Sequence, residues 1–205
     1  MSSLGNLTVL TGPSGVGKGT IVRKILESHS DVWLSISATT RQPRSGEIEG
    51  EHYFFLEKKK FQEIIDKDGF LEWASFSNNF YGTPKKFVEE NLIKGVDVLF
   101  DIDWQGAQKL ANFSKTDIVS VFILPPSNSI LKERLKKRNE DSPEIVNKRM
   151  SKAKSEISHW IEYDYVLINE DLAKCSDEVV TILKAERKKR DRQKFTFSFI
   201  EKLLK

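Results

Sequence analysis

Residues 12–20 of the chain read GPSGVGKGT. They match the G-x-x-x-x-G-K pattern of a phosphate-binding loop, in which glycines let backbone N–H groups curl around phosphate oxygens. The apolar run before the loop predicts a buried strand, and the pattern after it predicts a helix whose positive end faces the same anion. Lys18 adds a mobile positive charge. This context favours a phosphate site over a glycine turn without a ligand.

The loop departs from the usual pattern at one position. Gly19 stands where Ser or Thr commonly contacts magnesium, and Thr20 follows one residue later. We therefore expect magnesium to be held mainly through water, through the nucleotide and through an acid elsewhere in the chain.

Composition bounds the class of protein. The chain has 205 residues, of which 39% are hydrophobic and 31% charged, so one compact domain is expected. A net charge of +3 is too balanced to indicate nucleic-acid binding. The single cysteine excludes an intrachain disulfide and argues against a cysteine-based zinc site. There is no signal-peptide pattern and no apolar run of about 20 residues, so we expect a cytoplasmic protein without a membrane partner.

Predicted strands and helices alternate along most of the chain. Such alternation is typical of an α/β protein with a parallel sheet covered by helices on both faces. Residues 37–91 interrupt it with short strands and polar loops, and we interpret them as an inserted substrate subdomain. The core of this single domain then comprises residues 1–36, 92–125 and 164–205.

Local patterns predict several element boundaries. We expect a strand over residues 33–37, a buried strand over residues 96–101 that ends in an acid, and a helix over residues 172–189. Thr83 is predicted to cap a helix that has Pro84 at its first position.

Five further stretches carry a family resemblance. They are SATTRQPR at 37–44, GEHYFF at 50–55, FLE at 70–72, YGT at 81–83 and DIDWQG at 101–106. With the phosphate loop, their order and spacing closely resemble guanylate kinase, particularly the bacterial enzymes, over nearly the whole chain. The resemblance implies the P-loop nucleoside monophosphate kinase fold, with a parallel-sheet core, a GMP-binding insertion at residues 37–91 and a helical lid at residues 126–163.

The resemblance implies an ATP site around the loop. The implied ATP-binding residues are Gly12, Pro13, Ser14, Gly15, Val16, Gly17, Lys18, Gly19, Thr20 and Asn169. Asp101 ends a central strand, where parallel sheets place ligand-facing residues, and it resembles the acid that positions magnesium through water. The alternative for Asp101 is a structural acid that is hydrogen-bonded to the loop.

Two arginines form the implied site for the GMP phosphate. Arg41 and Arg44 lie three residues apart, and two guanidiniums can hold a monophosphate dianion through paired hydrogen bonds. Composition alone favours a solvated basic loop here, but the resemblance reverses that preference. Tyr53 and Tyr81 are expected to add hydroxyl donors, the alternative being half-buried strand residues.

Guanine presents two donors, N1–H and the amino group, beside the acceptor O6. A protein that recognises this edge needs carboxylates for the donors and a hydroxyl or amide for O6, and adenine has the wrong pattern. The resemblance places Glu72 and Asp103 as the carboxylates, and Ser37 and Thr83 as the hydroxyls. The alternatives are a surface charge for Glu72 and helix caps for Thr83 and Asp103.

The resemblance also implies a lid that supplies arginines to the reaction. Arg134 and Arg138 share one helix face, and Arg149 follows on the next helix. Together with Lys18 and Arg41 they are the expected catalytic residues, because positive groups offset charge on the transferred phosphoryl group. No general base is needed, since the acceptor is already an anionic phosphate.

The implied reaction is ATP + GMP ⇌ ADP + GDP with magnesium, in purine nucleotide metabolism and GMP recycling, and dGMP is an expected second acceptor. No protein partner is evident. Two alternatives remain: a guanylate-kinase-like scaffold module that binds peptides, and a related kinase acting on another phosphorylated acceptor, such as a ribose phosphate.

Overall fold

The computed structural model of the chain describes residues 5–44, 46–76, 78–113, 118–139, 143–193 and 195–205. The strands are β1 (Leu7–Thr11), β2 (Val32–Leu34), β3 (Ala38–Thr39), β4 (Phe54–Phe55), β5 (Phe70–Phe76), β6 (Asn79–Pro84), β7 (Asp97–Asp101), β8 (Ile118–Leu124) and β9 (Tyr165–Ile168). The α-helices are α1 (Lys18–Ser28), α2 (Lys58–Asp66), α3 (Lys85–Ile93), α4 (Trp104–Phe113), α5 (Asn128–Asn139), α6 (Pro143–Ile157), α7 (Leu172–Glu186) and α8 (Phe195–Leu203).

The main sheet contains five parallel strands in the order β2-β7-β1-β8-β9. Strand β1 is central, and Leu7 pairs with Val98 on one side and with Ile118 on the other. Because the strands are parallel, their carboxyl ends meet at one edge of the sheet. The phosphate loop follows β1 at that edge, and Asp101 ends the neighbouring strand β7 there.

Helices cover both faces of this sheet, as the alternating pattern predicts. On one face Leu10 and Leu99 are buried in a cluster with Ile21 of α1 and Val179 of α7. On the other face Val9 and Phe100 are buried with Leu110 of α4 and Val88 of α3, in a second cluster. Adjacent strand residues point to opposite faces, so a run of apolar residues supplies both clusters. The predicted α/β fold class is therefore confirmed.

A second sheet lies within residues 38–84. Its four strands run in the order β4-β3-β6-β5, with β3 and β4 parallel and the other pairs antiparallel. Its core is aromatic: the Phe61 ring of α2 stacks on Phe70 at a centroid distance of 4.4 Å and on Phe80 at 5.5 Å.

Three predicted boundaries are wrong. Thr83 is a strand residue paired with Glu72, and α3 begins only at Lys85 with Pro84 as its extended N-cap, so Thr83 does not cap that helix. Cross-strand pairing has extended the strand through a position that local propensity assigns to a cap. The second strand is Val32–Leu34, and α7 ends at Glu186.

A polar network ties α7 to the amino ends of the central strands. Asp97 is fully buried, and its carboxylate accepts hydrogen bonds from the backbone N–H of Asn6 at 2.7 Å and from Nε of Arg187 at 2.9 Å. Burial raises the pKa of Asp97, while the hydrogen bond from Arg187 opposes that rise.

Among the described residues, no helix is long and apolar enough to cross a bilayer.

Candidate active site

The phosphate loop joins β1 to α1 in a conformation that needs glycine at two positions. Gly15 has φ of 86°, and a Cβ atom there would lie 2.7 Å from Cδ2 of Leu135. Gly17 has φ of 103°, and its Cβ would lie 2.8 Å from Nδ2 of Asn169. The positive φ strains any other residue at these two positions, and at each of them a neighbouring side chain would also have to shift. The loop is therefore held tightly against α5 and against the residue that follows β9.

Side chains from distant parts of the chain hold the loop in place. The carbonyl oxygen of Val16 accepts hydrogen bonds from Nδ2 of Asn169 at 2.8 Å and from Nη1 of Arg134 at 3.2 Å. Arg134 also donates to the carbonyl oxygen of Asn169 at 3.1 Å. Lys18 Nζ donates to the carbonyl oxygen of Gly12 at 2.7 Å. The predicted ATP residue Asn169 and the predicted lid residue Arg134 thus both anchor the loop backbone.

Asn169 carries a second feature that points to a ligand. Its side chain is only 3% exposed, and its Oδ1 atom is buried without a hydrogen-bond partner in the described part of the structure. A buried acceptor without a partner is costly, so a donor from a bound molecule would relieve it. The amino group of adenine is a donor of this kind.

The loop lines a cavity of about 930 Å³. The predicted site residues that line it include the whole loop together with four residues from other elements, namely Asp101, Asp103, Arg134 and Asn169. Arg23, Glu156 and Leu172 also line it, although the sequence did not single them out.

The acid side of this cavity fits a magnesium ion. Asp101 is exposed at the end of β7, and a Cβ atom on Gly19 would lie 3.8 Å from its Oδ2 atom. The carboxylate therefore stands beside the first turn of α1, next to the loop. Magnesium bound with a nucleotide needs one or two carboxylates, the phosphate oxygens and water. Among the described residues, no group of three or more His, Cys, Asp or Glu is placed so that it could hold a metal ion.

The predicted phosphate-binding arginines lie at the second sheet, and a carboxylate already contacts them. Glu47 accepts hydrogen bonds from both terminal nitrogens of Arg41 at 2.9 Å and from the backbone N–H of Arg44 at 2.7 Å. The bond from Arg41 is the largest influence that lowers the pKa of Glu47 to about 2. The guanidinium carbon of Arg41 lies 5.4 Å from the ring centroid of Tyr53. This cluster can therefore hold an anion.

Tyr53 and Tyr81 flank the same arginine. Their ring centroids are 6.3 Å apart, in an edge-to-face arrangement. Burial raises the pKa of Tyr53, so its hydroxyl stays protonated and can donate.

The two predicted guanine carboxylates approach each other across α4 and β5. Thr83 is buried, and its hydroxyl donates a hydrogen bond to Oε1 of Glu72 at 2.9 Å. Burial is the largest influence that raises the pKa of Glu72, and the negative charge of Asp103 raises it further. Asp103 also accepts a hydrogen bond from the backbone N–H of Gly106 at 2.9 Å, so it caps α4. Since Asp103 lines the loop cavity as well, it links the two sites.

Three predicted residues are placed less directly. Ser37 precedes β3, and its carbonyl oxygen accepts a hydrogen bond from the backbone N–H of Phe54 at 3.0 Å. Arg149 lies half-buried on α6, outside the lining of the loop cavity. The backbone of Arg138 belongs to α5, while its side chain lies outside the described part of the structure.

Two acids in the sites were missed from the sequence. Glu47 follows Arg44 by three residues, so the short polar loop offered a local signal for it. Glu156 lies 142 residues from its loop partner, Ser14, and no sequence pattern connects the two.

Comparisons with known proteins show the family to which the chain belongs. The family model described as guanylate kinase matches residues 5–186. The guanylate kinase of Prochlorococcus marinus (strain NATL2A) is 64% identical over 179 residues, which cover 87% of this chain and 96% of the relative. That of Paramagnetospirillum magneticum (strain ATCC 700264 / AMB-1) is 50% identical over 203 residues, covering 99% and 95%.

A solved structure gives the same result at the level of the fold. The crystal structure of guanylate kinase from Anaplasma phagocytophilum matches with a TM-score of 0.73 and 39% identity, and the match covers 93% of this chain and 90% of that one. The resemblance noted in the sequence is thereby confirmed, and the chain belongs to the guanylate kinase family.

Proposed function

We propose that this chain transfers the terminal phosphoryl group of ATP to GMP, giving ADP and GDP, and that it accepts dGMP as well. One observation carries the proposal: Asp103 lines the phosphate-loop cavity and also lies close enough to Glu72 to raise the pKa of that carboxyl. A nucleotide bound at the loop and a guanine held by the two carboxylates would therefore lie side by side. The reaction belongs to purine nucleotide metabolism.

At the donor site, the loop binds the phosphates of ATP. Its backbone N–H groups and the amino end of α1 supply partial positive charge, and Lys18 supplies a full one. The hydrogen bonds from Arg134 and Asn169 to Val16 fix the loop before ATP arrives. The unpartnered Oδ1 of Asn169 accepts from the adenine amino group.

At the acceptor site, the phosphate of GMP binds to Arg41 and Arg44. Glu47 now holds the guanidinium of Arg41 in a two-point ion pair. A phosphate dianion carries more charge than a carboxylate and accepts more hydrogen bonds, so it can share or replace Glu47 on the same donors. Tyr53 and Tyr81 add hydroxyl donors from the flank.

The guanine base is recognised at its donor edge. Glu72 and Asp103 accept from N1–H and the amino group, and the hydroxyl of Ser37 donates to O6. Thr83 lies at the same edge of the base and orients the carboxylate of Glu72 through its own hydroxyl. Adenine at this position would cover a carboxylate and place an acceptor opposite it, which costs about 1–3 kcal/mol for each group left unpaired under the base. This mismatch favours GMP over AMP.

The protein promotes phosphoryl transfer by positioning the two nucleotides and by supplying positive charge. An oxygen of the GMP phosphate attacks the terminal phosphorus of ATP, the bond to ADP breaks, and no proton has to be removed. Arg134, Arg138 and Arg149 contribute positive charge from residues 126–163, the proposed lid. Magnesium, held by Asp101 through water and by the phosphates, would neutralise charge on the leaving oxygens when bound.

A substrate panel tests the proposal. ADP release is followed in a coupled assay with ATP, magnesium and each of GMP, dGMP, AMP, CMP and UMP. We expect kcat/KM for GMP to exceed that for AMP by at least about 10²-fold, because adenine offers no donors to the two carboxylates that recognise the edge of the base. Equal turnover with all of these acceptors would refute the assignment of the base.

A further inference from the structure

A carboxylate from α6 contacts the phosphate loop. Oε2 of Glu156 accepts a hydrogen bond from the backbone N–H of Ser14 at 3.1 Å, and the other oxygen lies 3.4 Å from Nζ of Lys152. The Glu156 side chain is only 10% exposed and lines the cavity that the loop encloses. Neither the family motifs nor the proposed reaction gives this residue a role.

The position of Glu156 is unfavourable for an ATP site. Backbone N–H groups in such a loop are the donors that bind phosphate oxygens, and one of them is taken by a side chain of the same protein. The triphosphate brings several negative charges into a cavity that already contains this one. Repulsion between two unit charges about 4 Å apart, screened as strongly as in bulk water, corresponds to about threefold to tenfold in affinity.

We propose that Glu156 is a displaceable competitor of ATP on the phosphate loop. The carboxylate holds the Ser14 N–H until a phosphate oxygen of ATP takes that donor, and it then moves away from the loop. Lys152, one helical turn earlier on α6, is the partner available to the released carboxylate. This inference rests on the proposed ATP site but not on the identity of the acceptor.

The same exchange links ATP binding to the helix that carries a lid arginine. Arg149 precedes Glu156 by seven residues, so both side chains project from one face of α6, about 10 Å apart along its axis. α6 packs on α5 through Ala153 and Met150 against Leu131 and Leu135. Release of Glu156 therefore frees this end of α6 from the loop.

Two substitutions separate the charge of Glu156 from its hydrogen bond. Glu156→Gln keeps the size and an acceptor for Ser14 but removes the charge, whereas Glu156→Ala removes both. We expect calorimetry with Mg-ATP to give a Kd about threefold to tenfold lower for Glu156→Gln, and at least as low for Glu156→Ala. KM for ATP should fall likewise, while the Kd and KM for GMP stay within twofold of the wild-type values.

Glu144→Gln is the matched control. Glu144 is exposed in the first turn of the same helix, so it makes the same change in net charge away from the loop. Its Kd for ATP should stay within twofold of wild type. A similar gain in this control would mean that net charge alone acts, and the proposal would be wrong.

The opposite result is equally informative. If Glu156→Gln, with an unchanged melting temperature, binds ATP as the wild type does or more weakly, Glu156 supports the ATP-bound loop and does not compete for it. A loss of stability in Glu156→Ala leaves the test to the isosteric glutamine variant. ATP affinity is measured without an acceptor, so failure of this inference is distinct from failure of the GMP assignment, which appears only in the substrate panel.

Discussion

Exchanging Glu72 for glutamine changes one oxygen for an amino group in the proposed guanine site and hardly alters the size of the side chain. Oε1 of Glu72 accepts a hydrogen bond from the hydroxyl of Thr83 at 2.9 Å. A carboxylate can accept several further hydrogen bonds, so acceptor positions remain for guanine. In Glu72→Gln the remaining oxygen can still serve Thr83, but the new N–H₂ group faces the N–H donors of guanine. The substitution therefore acts on the base and leaves the cross-strand contact intact.

The expected loss follows from two contributions. A hydrogen bond to a charged acceptor is worth about 1.5–3 kcal/mol, and a donor left unpaired in a buried site costs about 1–3 kcal/mol. Values from the lower half of both ranges add up to about 3–4 kcal/mol of lost binding energy for the base. This loss corresponds to a decrease of about 10²- to 10³-fold in kcat/KM for GMP. The loss should be smaller for IMP, since hypoxanthine lacks the amino group that guanine offers to a carboxylate.

The assay compares kcat/KM for GMP and IMP in the wild type and in Glu72→Gln, with the Kd for Mg-ATP measured beside them. We expect the GMP/IMP ratio to fall in the variant and the Kd for ATP to stay within twofold. A variant that keeps its kcat/KM for GMP within threefold would show that Glu72 does not read guanine. A parallel loss of ATP affinity would point to a general structural defect instead.

Three further predictions concern the loop, the pH profile and the fold. Lys18→Met should lower kcat/KM by at least about 10²-fold at an unchanged melting temperature, because the variant loses the positive charge that stabilises the transferred phosphoryl group. Near-normal turnover in the coupled assay would show that Lys18 does not stabilise this group. Since burial raises the pKa of Glu72 above its ordinary 4.5, kcat/KM for GMP should fall as the pH drops through that raised pKa, and the acid limb should be absent in Glu72→Gln. Arg187→Met should destabilise the chain by about 3–5 kcal/mol in urea unfolding, because the buried carboxylate of Asp97 loses its positively charged partner. Arg190→Met, at an exposed ion pair, should cost under about 1 kcal/mol, and equal effects of the two substitutions would refute this account.

Much of the donor site could be predicted from adjacent residues. The glycines at positions 15 and 17 adopt positive φ values that the loop pattern implies, and the strand before and the helix after the loop lie where the apolar periodicity places them. Local sequence encodes these features because backbone conformation and turn chemistry depend mainly on neighbouring side chains.

Boundaries inside the insertion were less predictable. Thr83 and Pro84 match the pattern of a helix start, yet pairing with β5 keeps both residues extended. Propensity is a weak preference, and a ladder of cross-strand contacts outweighs it.

The sequence by itself determined the phosphate loop, the α/β class and, through residues 37–44 and 101–106, the family. Only the tertiary structure decided which side chains meet at the loop: Arg134 and Asn169 converge on Val16 from 118 and 153 residues away, and Glu156 reaches Ser14 from 142. Such contacts depend on how helices pack against the sheet, and packing is set by the whole core, not by the residues next to each side chain.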